Sequence, residues 1–163
     1  MSFVARTVVL RSGALLVPLA LAGCSTTIPV TAAPHAADPL CAEIVLALPR
    51  ELGGMPRLTA GAQATAAWGD RRDPVILRCG VEPPPPTTDP CVTAEDEDHA
   101  VDWVAVSGPE DADGLTTWTF TTYGRSPAVE VVVPASVTAT HSTSFLIDLG
   151  PAVARVEQTR ACL

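Results

Sequence analysis

Apolar and polar positions change period several times along the chain. An unbroken apolar stretch runs from Ala14 to Ala22 behind Arg6 and Arg11, and residues 25–37, STTIPVTAAPHAA, show no period at all. Leu40, Cys41, Ile44, Val45 and Leu48 then follow at helical spacing behind Asp38 and Pro39, a good N-cap and first helical residue. This predicts an amino-terminal helix broken at Pro49 and ended by Gly53-Gly54. From residue 64 the pattern is that of strands. Val75, Ile76 and Leu77 form a short apolar run after Pro74. Val101, Trp103 and Ala105 alternate with their neighbours, as do Trp118 and Phe120 in LTTWTFTT, and Val129, Val131 and Val133 before Pro134. Gly124 to Pro127 is short enough for a hairpin turn, and the acidic stretch Pro109 to Gly114 predicts a turn between the two strands before it.

The last segment, HSTSFLIDLGPAVARVEQTRACL, carries both periods. Gly150-Pro151 favours a strand near 143–148 and then a helix near 151–159, because the residue before proline avoids the helical region and proline suits the first helical turn. The expected fold is α+β: one domain with a largely antiparallel sheet, an amino-terminal helix, a carboxyl-terminal helix and two disulfides.

The leading segment changes the picture of where such a domain resides. Two arginines, an apolar run too short to span a bilayer and the ending Leu21-Ala22-Gly23-Cys24 form a secretory signal with a lipobox. The expected organisation is a signal peptide over 1–23, a lipidated tether over 24–37 and an extracytoplasmic domain over 38–163. Diacylglycerol on the Cys24 sulfur would supply two acyl chains, enough to hold the protein at the outer face of the cytoplasmic membrane. The 163-residue chain has a formal net charge of −8 and contains no lysine. Loss of Arg6 and Arg11 with the signal makes it more acidic still. Such a surface repels phosphate backbones, so nucleic acid is not expected as a partner; the lipid anchor carries membrane attachment, and an envelope protein or small ligand is the expected partner.

Four cysteines remain beyond Cys24. Outside the cytoplasm they read as two disulfides with three pairings open, of which the expected one joins Cys79 to Cys91 and Cys41 to Cys162. The first bridge would close a short loop containing Pro83 to Pro86. No Cys-x-x-Cys pair and no histidine at ligand spacing supports zinc.

A lipobox followed by DPLCAEIVLALP, ATAAWGDRRDPVILRCG, VDWVAV, TTYGRSPAVEVVVP and a cysteine near the carboxyl end resembles the actinobacterial lipoproteins of domain of unknown function 3515. The resemblance covers about residues 38–163 and rests on the order and spacing of these motifs. It implies a cell-envelope lipoprotein of a high-GC Gram-positive bacterium and brings no activity with it.

Catalytic chemistry finds little support. There is no Gly-x-Ser-x-Gly, and His35, His99 and His141 fall in the tether, an acidic run and a polar loop. Three tryptophans and one tyrosine are few for a sugar cleft. The run Glu95-Asp96-Glu97-Asp98-His99 offers oxygen ligands for a hard cation, yet reads more simply as a solvated turn. Neither a metal nor another cofactor is expected. The candidate ligand-binding residues are Trp68, Asp70, Arg78, Tyr123 and Arg125, where arginines could grip a carboxylate or phosphate beside an aromatic face. Their structural reading has Trp68 capping the core, Asp70 opening a turn, an arginine paired with a carboxylate and Gly124 serving the hairpin. A noncatalytic binding or interaction module is therefore expected, with an extracytoplasmic hydrolase acting on cell-wall or lipid substrates as the alternative.

Overall fold

The computed structural model describes residues 27–162. The segment expected as a signal peptide and the lipidation candidate Cys24 lie outside the described residues. Helix α1 (Pro39–Ala47) is followed by strands β1 (Glu51–Leu52), β2 (Met55–Leu58), β3 (Thr65–Trp68), β4 (Val75–Val81), β5 (Cys91–Glu95), β6 (Ala100–Glu110), β7 (Thr116–Thr122) and β8 (Ala128–Val133). Two short helices, α2 (Ala135–Thr138) and α3 (Gly150–Val153), flank a 3-10 segment, Thr143–Leu149. The eight strands form one antiparallel sheet in the order β1-β2-β3-β4-β8-β7-β6-β5, curved into a half-barrel.

Strict alternation decides which face each side chain takes. Val75, Leu77 and Cys79 on β4, Val129, Val131 and Val133 on β8, and Val101, Trp103 and Ala105 on β6 all point to the inner face and are buried. Helix α1 packs on that face against α3 and β4. Asp38 caps α1 by accepting from the Leu40 amide at 2.9 Å. Arg57 closes its other end, donating to the carbonyls of Val45 and Leu48 at 3.2 Å each while its guanidinium lies over Trp68. Trp68 is fully buried and donates its indole N–H to the Pro49 carbonyl at 3.2 Å. Burying an aromatic of that size with its polar atom satisfied is worth roughly 2–3 kcal/mol of transfer free energy.

The expected carboxyl-terminal elements and disulfide pairing are overturned. Residues 143–148 are not a strand and no helix runs over 151–159: the 3-10 segment leads into the single turn of α3, and residues 157–162 leave as an irregular tail. Phe145, Leu146 and Leu149 are buried from the 3-10 segment, which explains why both periods were visible. The disulfides also differ from the expected pairing: they join Cys41 to Cys79 and Cys91 to Cys162, with Cα separations of 5.4 and 6.1 Å. Although Cys79 and Cys91 are near in sequence, β8, β7 and β6 lie between their strands. Four strand spacings amount to about 19 Å, far beyond disulfide reach. Pro83 to Pro86 stiffen the connection that crosses this width.

The outer face of the sheet is strapped at two places by the chain ends. Residues 27–37, expected as a tether, lie on the domain: Ile28 bridges Ala60, the His35 amide donates to the Gly80 carbonyl at 2.9 Å, and Ala33 packs with Val81 and Ala128. The tail crosses β6 and ends at the Cys91 bridge. Each strap passes a glycine of positive φ, Gly80 (+94°) against the His35 backbone and Gly124 (+72°) against the Arg160 backbone. A side chain at either glycine would overlap the passing main chain.

Candidate ligand-binding groove

The five candidate residues are not brought together. Trp68 is in the core. Asp70 opens an exposed turn, accepting from the Arg72 amide at 2.8 Å. Arg78 sits on the outer face, where its Nε and Nη2 donate to Glu130 Oε1 at 2.9 and 2.6 Å. Their positions are register partners on β4 and β8. Tyr123 lines a depression beside the Cys91–Cys162 bridge.

Arg125 is buried beneath the tail. It donates to the Ala100 carbonyl and to Gln158 Oε1, both at 2.9 Å, and to the Val156 carbonyl. Beside it Asp102, also buried, accepts from Thr93 Oγ1 at 2.7 Å, Gln158 Nε2 at 2.8 Å and the Cys162 amide at 2.8 Å. Burial works to raise the Asp102 pKa, but these hydrogen bonds and the Arg125 charge outweigh it and hold the carboxyl below its ordinary range. The pair is thus a fastening for the tail, with the lone pairs of Asp102 already committed to protein donors.

The acidic run forms the β5–β6 turn. Asp96 Oδ1 accepts from the amides of Asp98 and His99 at 2.8 and 2.7 Å, and these backbone bonds lower its pKa. Among the described residues no group of three or more His, Cys, Asp or Glu converges as a metal would require.

The concavity lies elsewhere. On the inner face α1 and α3 fill the sheet from β4 towards β6, but they leave the ends of β5, β6 and β7 uncovered. A groove of 750 Å³ opens there, between these strands and the 3-10 segment. Its floor is Val92, Ala94, Ala105, Trp118 and Phe120, all on the inner face by register, and Leu146 and Ile147 form the opposite wall. Trp118 and Phe120 stack with ring centroids 6.2 Å apart and planes inclined by 21°. Val92, a large apolar side chain, remains 41% exposed among the described residues.

Hydroxyls of Thr138, Ser142, Thr143 and Ser144 form the rim. No carboxylate and no arginine belongs to the lining, and His141 is its one titratable side chain among the described residues. His141 Nδ1 is 2.9 Å from Thr140 Oγ1. Asp148 lies in an adjoining depression of 360 Å³ shared with His141 and Ser144, but its Oδ2 accepts the Gly53 amide at 2.8 Å. No hydrogen bond among the described residues joins His141 to a carboxylate or to a serine, so the parts of a nucleophilic relay are present without the contacts that make one.

In the sequence, Trp118 and Phe120 read only as strand positions. The available signal was the polar run His141 to Ser144, which follows the strands where a covering helix would need apolar residues. Among known proteins, the sequence model of the family described as "Protein of unknown function (DUF3515)" matches residues 4–162. No curated protein and no solved structure matches the chain.

Proposed function

This chain belongs to the DUF3515 family of unknown function, and from that premise we propose that it is a lipid-anchored, noncatalytic binding module of the cell envelope whose groove takes a small uncharged ligand. The observation that carries the reading is the groove's chemistry: an apolar floor with two stacked aromatics, a hydroxyl rim and no charged side chain in its lining. Its volume lies in the range of small-molecule sites, roughly 300–1,000 Å³. A charged ligand would lose hydration there without gaining an opposite charge. An uncharged amphipathic ligand can lay its apolar face on Val92, Ala94 and Trp118, with Phe120 packed beneath, and direct its polar groups to the threonines and serines. General acid–base work needs a second positioned group beside His141, and the lining offers none. Attachment through Cys24 places the groove outside the cytoplasmic membrane, where envelope metabolites are the available ligands.

Titration with the uncharged aromatic probe N-phenyl-1-naphthylamine tests this directly. Saturable binding is expected, weakened roughly tenfold or more in Trp118→Ala and unchanged in Val106→Ala on the outer face. Absence of saturable binding, or equal binding by Trp118→Ala, would overturn the assignment. Turnover of an uncharged ester that is lost in His141→Ala would favour the hydrolase instead.

A further inference from the structure

We propose that the loop joining β2 to β3, residues 59–64, is a membrane-contact surface that holds the domain flat against the lipid headgroups; the inference rests on lipidation at Cys24. From Thr27 onward, where the described residues begin, the segment expected as a tether lies against the domain. Ile28 is only 4% exposed, its amide donates to the Thr59 carbonyl at 2.8 Å, and its own carbonyl accepts the Gly61 amide at 2.9 Å. The Thr27 methyl lies against Gly61. Only Ser25 and Thr26 therefore separate Cys24 from chain already docked on this loop. Three residues reach at most about 11 Å when fully extended. The headgroup layer between hydrocarbon and water is itself about 5–8 Å thick. With its acyl chains in the hydrocarbon, Cys24 can let the loop rise only a few ångströms above the headgroups.

The charge distribution points the same way without depending on chain length. Leu58 to Thr65 contains no charged residue, in a chain with 18 acids, and neither does the segment Ser25 to Pro34. The acidic runs are placed away from it. Glu95 to Asp98 lie at the same end of the strands but at the far edge of the sheet, five strand spacings or about 24 Å across from β3. Asp111 and Asp113 are in the β6–β7 turn at the opposite end of the strands. An anionic bilayer repels those turns and accepts the uncharged edge, which fixes the tilt and leaves the groove facing away from the lipid.

The test uses the full-length lipidated protein in vesicles of phosphatidylcholine and phosphatidylglycerol carrying a headgroup nitroxide. A fluorescent amino acid is placed at Gln63 or, as control, at Asp113. Quenching at Gln63 is expected to be at least twofold stronger than at Asp113. A flexible Gly/Ser insertion of roughly twelve residues after Thr26 should abolish the difference while the protein still floats with the vesicles. Equal quenching at the two sites in floating vesicles would overturn this contact surface alone. Failure to float would overturn the anchor and the contact together.

Discussion

Asp102 carries more of this molecule's order than its place in the middle of a strand suggests. It fastens the tail through Gln158 and the Cys162 amide, and it lies beside a buried arginine. Asp102→Ala should leave those donors without an acceptor and the buried Arg125 without its neighbouring negative charge, costing about 3 kcal/mol in denaturant unfolding. The pH dependence follows from the sign of the shift. The folded carboxyl has a pKa below its unfolded value, so its stabilisation is complete above the unfolded pKa of about 3.9 and is lost as pH falls through the folded value. Thermal unfolding should show that acid limb in the native protein and a shallower one in Asp102→Asn. Arg78 and Trp68 taught the complementary lesson. Both were legible as candidates for function because arginine and tryptophan are the residues that grip ligands, yet one is spent on Glu130 and the other on the core.

At the scale of elements, the bridges and straps make the sharpest predictions. Nonreducing peptide mapping should find Cys41 joined to Cys79 and Cys91 joined to Cys162; a Cys79–Cys91 peptide would contradict the fold. Each bridge constrains the unfolded chain by about 4 kcal/mol in the loop-entropy model, so removing either pair should lower the denaturation midpoint markedly. Gly124→Ala should destabilise the tail strap, read as faster amide exchange at Thr159, whose N–H bonds the Gly124 carbonyl.

Strands β6, β7 and β8 are readable because their inner positions alternate with outer ones in runs of six or more residues, and β4 because Val75 to Leu77 form an apolar run behind Pro74. The edge strands β1 and β5 were not: β1 has two residues, and β5 is exposed along most of its length, leaving no apolar period to see. The carboxyl-terminal helix failed for a different reason. A 3-10 segment repeats every three residues and can mimic both other periods over so short a span. Disulfide partners were illegible because the crossover from β4 to the far edge is a property of topology, not of spacing.

For the whole molecule, a half-barrel filled by helices over one half and open over the other accounts for the groove without any residue having a catalytic pedigree. Its site residues were hidden in the sequence since Trp118 alternates just as the buried Phe120 beside it does; Trp118 is only partly buried, and only that partial exposure makes it part of a surface. Cys24→Ala should abolish lipid labelling and release the protein from membranes, and continued labelling would refute the lipobox. On the proposed reading, anchoring and ligand capture would be separate properties of one chain, the first belonging to its amino end and the second to the far edge of its sheet. Amide chemical-shift mapping during titration with N-phenyl-1-naphthylamine tests that division most directly. Shifts confined to residues 92–94, 105, 118–120 and 138–147 are predicted. Shifts centred on the outer face around Arg78, Glu130 or Tyr123 would contradict it.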